Sequence, residues 1–207
     1  MDSTISFFTL FLIQLFFMVD PIGLTPVFVS MTASNSSKEK IRMLKTGVIV
    51  ALVVLLIFVF FSKYIMDYFG LSVASIKIGG GLLLAVIGAE MIYGSRTKTS
   101  TNKDEEEIAK EQEDIAITPL GVPLLAGPGA ILTVILFSGQ ATSFAQHLAI
   151  FTGVILVMLA AFIIVSQADF FMSKIGPIGT KVAGRFMGLI IVFMSVQMVI
   201  DGIKALL

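Results

Sequence analysis

Residues 18–31, Met-Val-Asp-Pro-Ile-Gly-Leu-Thr-Pro-Val-Phe-Val-Ser-Met, constrain this chain more than any other stretch. They lie inside an apolar run of bilayer-spanning length and place a carboxylate (Asp20), two prolines (Pro21, Pro26) and a glycine (Gly23) within it. Each proline removes a backbone N–H and clashes with the preceding helical turn. Non-helical backbone at membrane depth is tolerated only where protein or a cavity surrounds it. The stretch therefore predicts a broken helix, and the break marks a candidate site. A second break is expected at 124–131, Leu-Leu-Ala-Gly-Pro-Gly-Ala-Ile, about half a chain later.

The remaining composition agrees with a membrane protein. The 207 residues are 57% hydrophobic and 14% charged, against about 25% charged in a soluble domain. Formal net charge is zero, so no nucleic-acid partner is expected. Cysteine is absent and His147 is the single histidine, which excludes disulfides, thiolate metal sites and a histidine-pair metal centre. No cofactor is expected. No Lys or Arg precedes the first apolar run, so that run is read as a retained membrane helix rather than a signal peptide.

A span needs about 20 apolar residues, and six are read: 5–32, 46–62, 75–93, 115–138, 147–166 and 186–206. The first would be ~42 Å long as a straight helix, more than the ~30 Å hydrocarbon core, and a break absorbs the excess. Ser36 and Glu39 fit a capping box ahead of the second span. Gly81, Ala85 and Ala89 recur every four residues in the third, a face for close helix packing. Residues 96–114 form a polar linker of net charge −3. Five of the six prolines fall in the first and fourth spans, which are therefore the discontinuous ones.

The two halves resemble each other. Thr46-Gly47-Val48-Ile49-Val50 matches Thr152-Gly153-Val154-Ile155-Leu156, and residues 65–70 match 171–176. Near the same shift, Pro21 matches Pro128, Gly81 matches Gly188, and Glu90-Met91 matches Gln197-Met198. Three spans per half put the second half in the membrane upside down relative to the first. The expected fold is an all-α membrane protein with six transmembrane helices, arranged as two inverted three-helix repeats with helices 1 and 4 discontinuous. Its parts are a first repeat at 1–94, a cytoplasmic acidic linker at 95–114 and a second repeat at 115–207. Loops after spans one, three and five hold eleven Lys and Arg, and the opposite side holds Lys63, Lys77 and Lys204. That bias places both termini outside the cytoplasm.

A helix that restarts in mid-membrane presents free N–H groups and the positive end of its dipole, an anion site. Paired Gly/Pro-interrupted segments in two halves point to a transporter's binding site. The candidate substrate-binding residues are Asp20, Pro21, Gly23, Thr25, Pro26, Gly127, Pro128, Gly129, Thr133 and Gln197. Two half-helix starts suit a carboxylate, and freed carbonyls or Asp20 suit an ammonium or a coupling cation. Plainer roles stand beside these. Asp20 caps its own half-helix; Thr25 and Thr133 bond carbonyls of their own helices; Gln197 bonds another helix. Glu90 is read as interfacial, and Asp169 and Asp201 as solvated.

Three stretches resemble motifs of the MarC family of inner-membrane proteins: Asp-Pro-Ile-Gly-Leu-Thr-Pro-Val-Phe at 20–28, Leu-Leu-Ala-Gly-Pro-Gly-Ala-Ile at 124–131, and the run from Arg185 to Ile203. The resemblance covers nearly the whole chain. It implies six helices, a place in the LysE-like exporter superfamily, and kinship with archaeal small neutral amino acid transporters. It also implies that Asp20, Pro21, Gly23, Pro26, Gly127, Pro128, Gly129 and Gln197 carry the family pattern. The expected function is secondary transport of small neutral amino acids such as glycine or alanine across the inner membrane, coupled to protons or sodium. The rivals are export of another small metabolite, a channel, and a non-transport structural role. No Walker motif and no His-Glu-x-x-His is present, so neither ATP hydrolysis nor an enzyme is expected.

Overall fold

The computed structural model describes residues 4–33, 35–93 and 120–206. Among them the secondary structure is helical, with no strand. The helices are α1 (Thr4–Val19), α2 (Pro21–Met31), α3 (Ser37–Phe69), α4 (Val73–Tyr93), α5 (Pro128–Gln140), α6 (Phe144–Ser166) and α7 (Ala168–Lys204). A π-helical turn, Leu120–Leu125, precedes α5. The linker expected at 95–114, and Pro119 at the start of the fourth span, lie outside the described residues.

Local chemistry sets most of the ends. Before α3, the Ser36 hydroxyl accepts from the Glu39 amide at 3.4 Å, and the Glu39 carboxylate accepts from the Ser36 amide at 2.7 Å. This is the capping box read from the sequence. Ser143 and Gln146 build a second one before α6. The α3 helix ends at Gly70 in the left-handed region, φ 63°, with the Leu71 amide donating to the Met66 carbonyl at 2.8 Å. At Gly176 (φ 70°, ψ 173°) α7 kinks, a conformation open essentially to glycine alone.

Five segments are long and apolar enough to cross a membrane: Thr4–Met31, Ser37–Phe69, Val73–Tyr93, Phe144–Ser166 and Lys181–Lys204. The expected fourth span differs. Its described part is the π-helical turn followed by the 13-residue α5, too short to cross alone at 1.5 Å per residue. Prolines at 123 and 128 are the reason, because they prevent one continuous helix there. The second span is longer than expected, since the helix continues through polar turns at both ends.

Burial follows helical periodicity. On α3, Leu44, Val48, Ala51, Leu55, Val59, Ser62 and Met66 face inward, while Ile49, Val53, Ile57 and Phe60 stay exposed on the opposite side. An apolar stripe of that length suits lipid rather than water. Phe7, Phe11, Leu15 and Val19 form the inward face of α1. The Phe7 and Phe11 rings meet Phe137 of α5 with centroids 5.3 and 5.2 Å apart. Helix α1 packs on α6, α2 packs on α7 and more lightly on α6, α5 packs on α1, α3 and α4, and α4 pairs along its length with α7.

The α4–α7 seam depends on absent side chains. A methyl group at Gly188 would lie 2.8 Å from the Gly88 carbonyl oxygen, and one at Gly88 would lie 2.8 Å from the Gly188 carbonyl oxygen. Small residues let backbones approach where lipid offers no hydrophobic drive between helices. Gly188→Ala is expected to destabilise by about 1–3 kcal/mol, because backbone must move. Gly79→Ala, with nothing within 4 Å of the added methyl, is expected to be neutral or stabilising by up to about 1 kcal/mol. Unfolding of both variants in detergent checks the seam; equal stability would refute it.

Candidate functional site

Asp20 lies between α1 and α2, and its φ of 43° and ψ of 61° make it the one non-glycine residue with positive φ among those described. Aspartate is one of the few residues that visits this region routinely. Two backbone bonds hold across the bend here. The Asp20 amide donates to the Phe16 carbonyl and the Leu24 amide to the Asp20 carbonyl, both at 3.0 Å. Asp20 Oδ1 accepts from the Gly23 amide at 3.0 Å. The capping role read for Asp20 is thus the observed one. Gly23 is fitted to it, since a methyl group there would collide with Asp20 Oδ2 and lie 2.8 Å from its Cγ. Pro21 and Pro26 have no N–H to give the carbonyls of Phe17 and Ile22, so this turn carries acceptors lacking a helical donor.

The second break is built differently. The Ala126 amide donates to Gly121 at 3.0 Å, a five-residue return. Gly127 then takes extended backbone (φ −69°, ψ 167°) and caps α5 with no side chain. Pro128 occupies the first helical position, so the first free amides of α5 belong to Gly129 and Ala130. Gly127 and Gly129 are buried and Pro128 is exposed.

Tertiary packing brings the breaks together. A methyl group at Gly129 would lie 3.2 Å from Met18 Sδ and 3.0 Å from Leu84 Cδ2. Met18 is two residues ahead of Asp20, so the bare start of α5 lies against the approach to the capped start of α2. One turn along α5, Leu132 fills the notch at Gly80 of α4 while Leu84 of α4 fills the notch at Gly129. The two leucines interlock the helices around the breaks.

The other candidates sort by position. Thr25 donates to the Pro21 carbonyl at 3.0 Å and Thr133 to the Gly129 carbonyl at 2.9 Å, each one turn past its break and each buried. Their hydroxyl protons are spent on their own helices, the plainer of the two roles read for them. Gln197 is not brought to the breaks. It is exposed and donates to Asp201 of the same helix at 2.7 Å, and among the described residues it makes no interhelical bond. The next residue, Met198, faces inward because helical rotation turns neighbours about 100° apart. Gln14 is not singled out by the sequence. It is half-buried on α1, and its Nε2 contacts Met198 Sδ at 3.6 Å. A lone amide in an apolar run was the available signal. Asp169, read as solvated, pairs with Lys40 at 3.0 Å. No cluster of metal-ligating side chains occurs among the described residues. An apolar lateral groove of about 340 Å³, lined by Leu12, Phe16, Leu156 and Ala160 among others, opens between α1 and α6 and includes no break residue.

Several apolar spans, two interrupted helices and lipid-suited outer faces define a multi-pass integral membrane protein. The chain belongs to the MarC family of integral membrane proteins, whose description matches residues 5–207. It is 33% identical over 203 residues to a UPF0056 membrane protein of Methanocaldococcus jannaschii, covering 98% of both chains. It is 35% identical over 197 residues to one of Pyrococcus abyssi, covering 95% of this chain and 94% of the relative. It is 31% identical over 196 residues to the UPF0056 membrane protein YhcE of Escherichia coli, covering 95% and 91%. No solved structure matches the chain.

The capping arrangement has a measurable signature. Asp20→Ala is expected to cost about 1 kcal/mol for the cap and about 1–2 kcal/mol for alanine at positive φ. Asp20→Asn, which keeps an acceptor and tolerates that φ, is expected to cost much less. Gly23→Ala is expected to destabilise the wild-type background more than the Asp20→Ala background, because only the former holds the colliding carboxylate. A double-mutant cycle on unfolding in detergent measures this coupling, and additivity would dismiss the contact.

Proposed function

We propose that the protein is a secondary transporter of small neutral amino acids, glycine or alanine first, working by alternating access between two inverted three-helix repeats. The observation that carries this reading is the meeting of two dissimilar half-helix starts, with Gly129 against Met18 beside Asp20. The free Gly129 and Ala130 amides and the dipole of α5 suit a substrate carboxylate. Asp20 and the carbonyls left without donors by Pro21 and Pro26 suit an ammonium, a proton or sodium. Met18 and Leu84 crowd the start of α5, which favours a small side chain. The family resemblance supplies the amino acid class, and the residues themselves supply a small zwitterion or anion.

The repeat reading draws support from packing. The shift that carries Pro21 to Pro128 also carries Gly81 to Gly188 and Gly88 to Ser195. A methyl at Gly81 would lie 2.7 Å from the Ser195 carbonyl oxygen, and the partner contact under that shift is the Gly188–Gly88 approach at 2.8 Å. Likewise α1 and part of α2 rest on α6, while α5 and its π-helical turn rest on α3, the equivalent pairing of the opposite halves. The lysine and arginine bias supports an inner-membrane orientation with both termini outside the cytoplasm.

Counterflow of radiolabelled glycine and alanine in proteoliposomes tests the reading. Saturable exchange competed by small neutral amino acids is expected. Gly129→Val is expected to lower it at least tenfold, about 1.4 kcal/mol, by closing the start of α5. Asp20→Asn is expected to fold and to lose flux or its pH dependence. Unaltered flux in both variants would reject the site, and no exchange of any amino acid would favour the structural role for which Asp20 already serves as a cap.

A further inference from the structure

We propose that the end of the bundle where α3 and α7 begin is a docking surface for the headgroups of anionic phospholipids. The first turns of α3 carry Lys38, Lys40, Arg42 and Lys45, and the first half of α7 carries Lys174, Lys181 and Arg185. Lys40 ties the two runs together, its Nζ lying 3.1 and 3.0 Å from the two carboxylate oxygens of Asp169. Two acids described at this end are already engaged. Glu39 accepts from the Ser36 amide and hydroxyl at 2.7 Å each, and Asp169 is held by Lys40. Lys38, Arg42, Lys45, Lys174, Lys181 and Arg185 are exposed and have no acidic partner among the described residues.

Position selects a lipid over a soluble polyanion. Lys45 immediately precedes the apolar body of α3, and Lys181 and Arg185 open the apolar segment Lys181–Lys204. These cations therefore lie at the depth of lipid phosphates rather than out in solvent. Exposed apolar side chains alternate with them: Ile41, Phe170, Ile178 and Phe186 are 41, 58, 79 and 62% accessible. A basic rim with apolar side chains beneath it fits the headgroup–acyl boundary. A soluble polyanion would leave those side chains in water. Juxtamembrane clusters of 4–8 basic residues attract anionic lipid at about 1 kcal/mol each, roughly fivefold in binding per residue. The kink at Gly176 separates the Ala168-to-175 turns from the span, which lets Lys174 and Phe170 stay at the boundary while the rest of α7 enters the membrane.

The test uses the purified full chain in detergent, with phosphatidylglycerol and phosphatidylcholine of matched acyl chains. Lipid retention is read by native mass spectrometry and thermal unfolding. Phosphatidylglycerol is expected to be retained at least tenfold over phosphatidylcholine, with the preference falling between about 0.05 and 0.5 M salt. The variant Lys38→Gln/Lys45→Gln/Lys174→Gln/Lys181→Gln is expected to lose the preference. The opposite-end control Lys63→Gln/Lys77→Gln/Lys204→Gln is expected to keep it. Equal retention of the two lipids, an effect insensitive to salt, equal loss in the control, or displacement by millimolar inorganic phosphate would each overturn the proposal. If the quadruple variant does not fold, the lipid preference and salt series of the unchanged chain decide.

Discussion

A peptide group inside a bilayer has no water to bond, so a helix can be interrupted there only where protein replaces what the interruption removes. The architecture around Asp20 is a solution to that constraint. Proline denies the Phe17 carbonyl its donor, and the left-handed turn at Asp20 keeps the ladder joined on either side of the gap. The carboxylate then closes over the Gly23 amide. Aspartate tolerates the left-handed turn better than most residues, and its cap contributes only about 1 kcal/mol, so the interruption is not held by the cap alone. The remainder falls to packing: Val19, Leu24 and Phe28 flank the break and all lie in the main core.

That packing comes from absent side chains as much as from present ones. Gly129 admits Leu84 and Met18, Gly80 admits Leu132, Gly153 admits Phe11, and Gly88 and Gly188 admit each other's carbonyls. In a membrane the helices gain little from excluding lipid from one another, and close contact must supply the attraction. Met18 lies against both buried clusters, one centred on α1 and α6 and the other on the α4–α7 side. The break is therefore joined to both parts of the interior.

The two breaks answer one constraint with opposite chemistry. The first keeps a carboxylate at its helix start, and the second keeps none, because glycine and proline remove the cap and the first donor together. On the transport reading, this asymmetry is what a zwitterion would meet from its two ends. It also explains why α5 stays short while α3 and α6 run on. The π-helical turn holding Pro123 does not continue into α5, and Gly127 starts a new helix.

Much of this was legible in the chain. Proline and glycine act on their own backbone, so the positions of both interruptions, the Ser36 capping box and the Asp20 cap follow from residue type and spacing. The apolar runs disclosed five long segments for the same reason, though α3 continues about two turns or more into polar residues at each end, and the fourth run yields only the short α5 among the described residues. Other features depend on which way a helix is rotated and what it meets. Gln197 and Met198 are adjacent in sequence, and only packing against α4 turns the methionine inward and leaves the glutamine outside. Gln14 is a lone amide in an apolar run, but nothing local says that it meets Met198. Asp169 found Lys40, 129 residues away, through the placement of α7 beside the start of α3. Local sequence determined where the backbone must break, because torsional and hydrogen-bond limits are local. Tertiary structure decided that the two breaks adjoin and which side chains reach them, because those depend on how distant helices fill one another's notches.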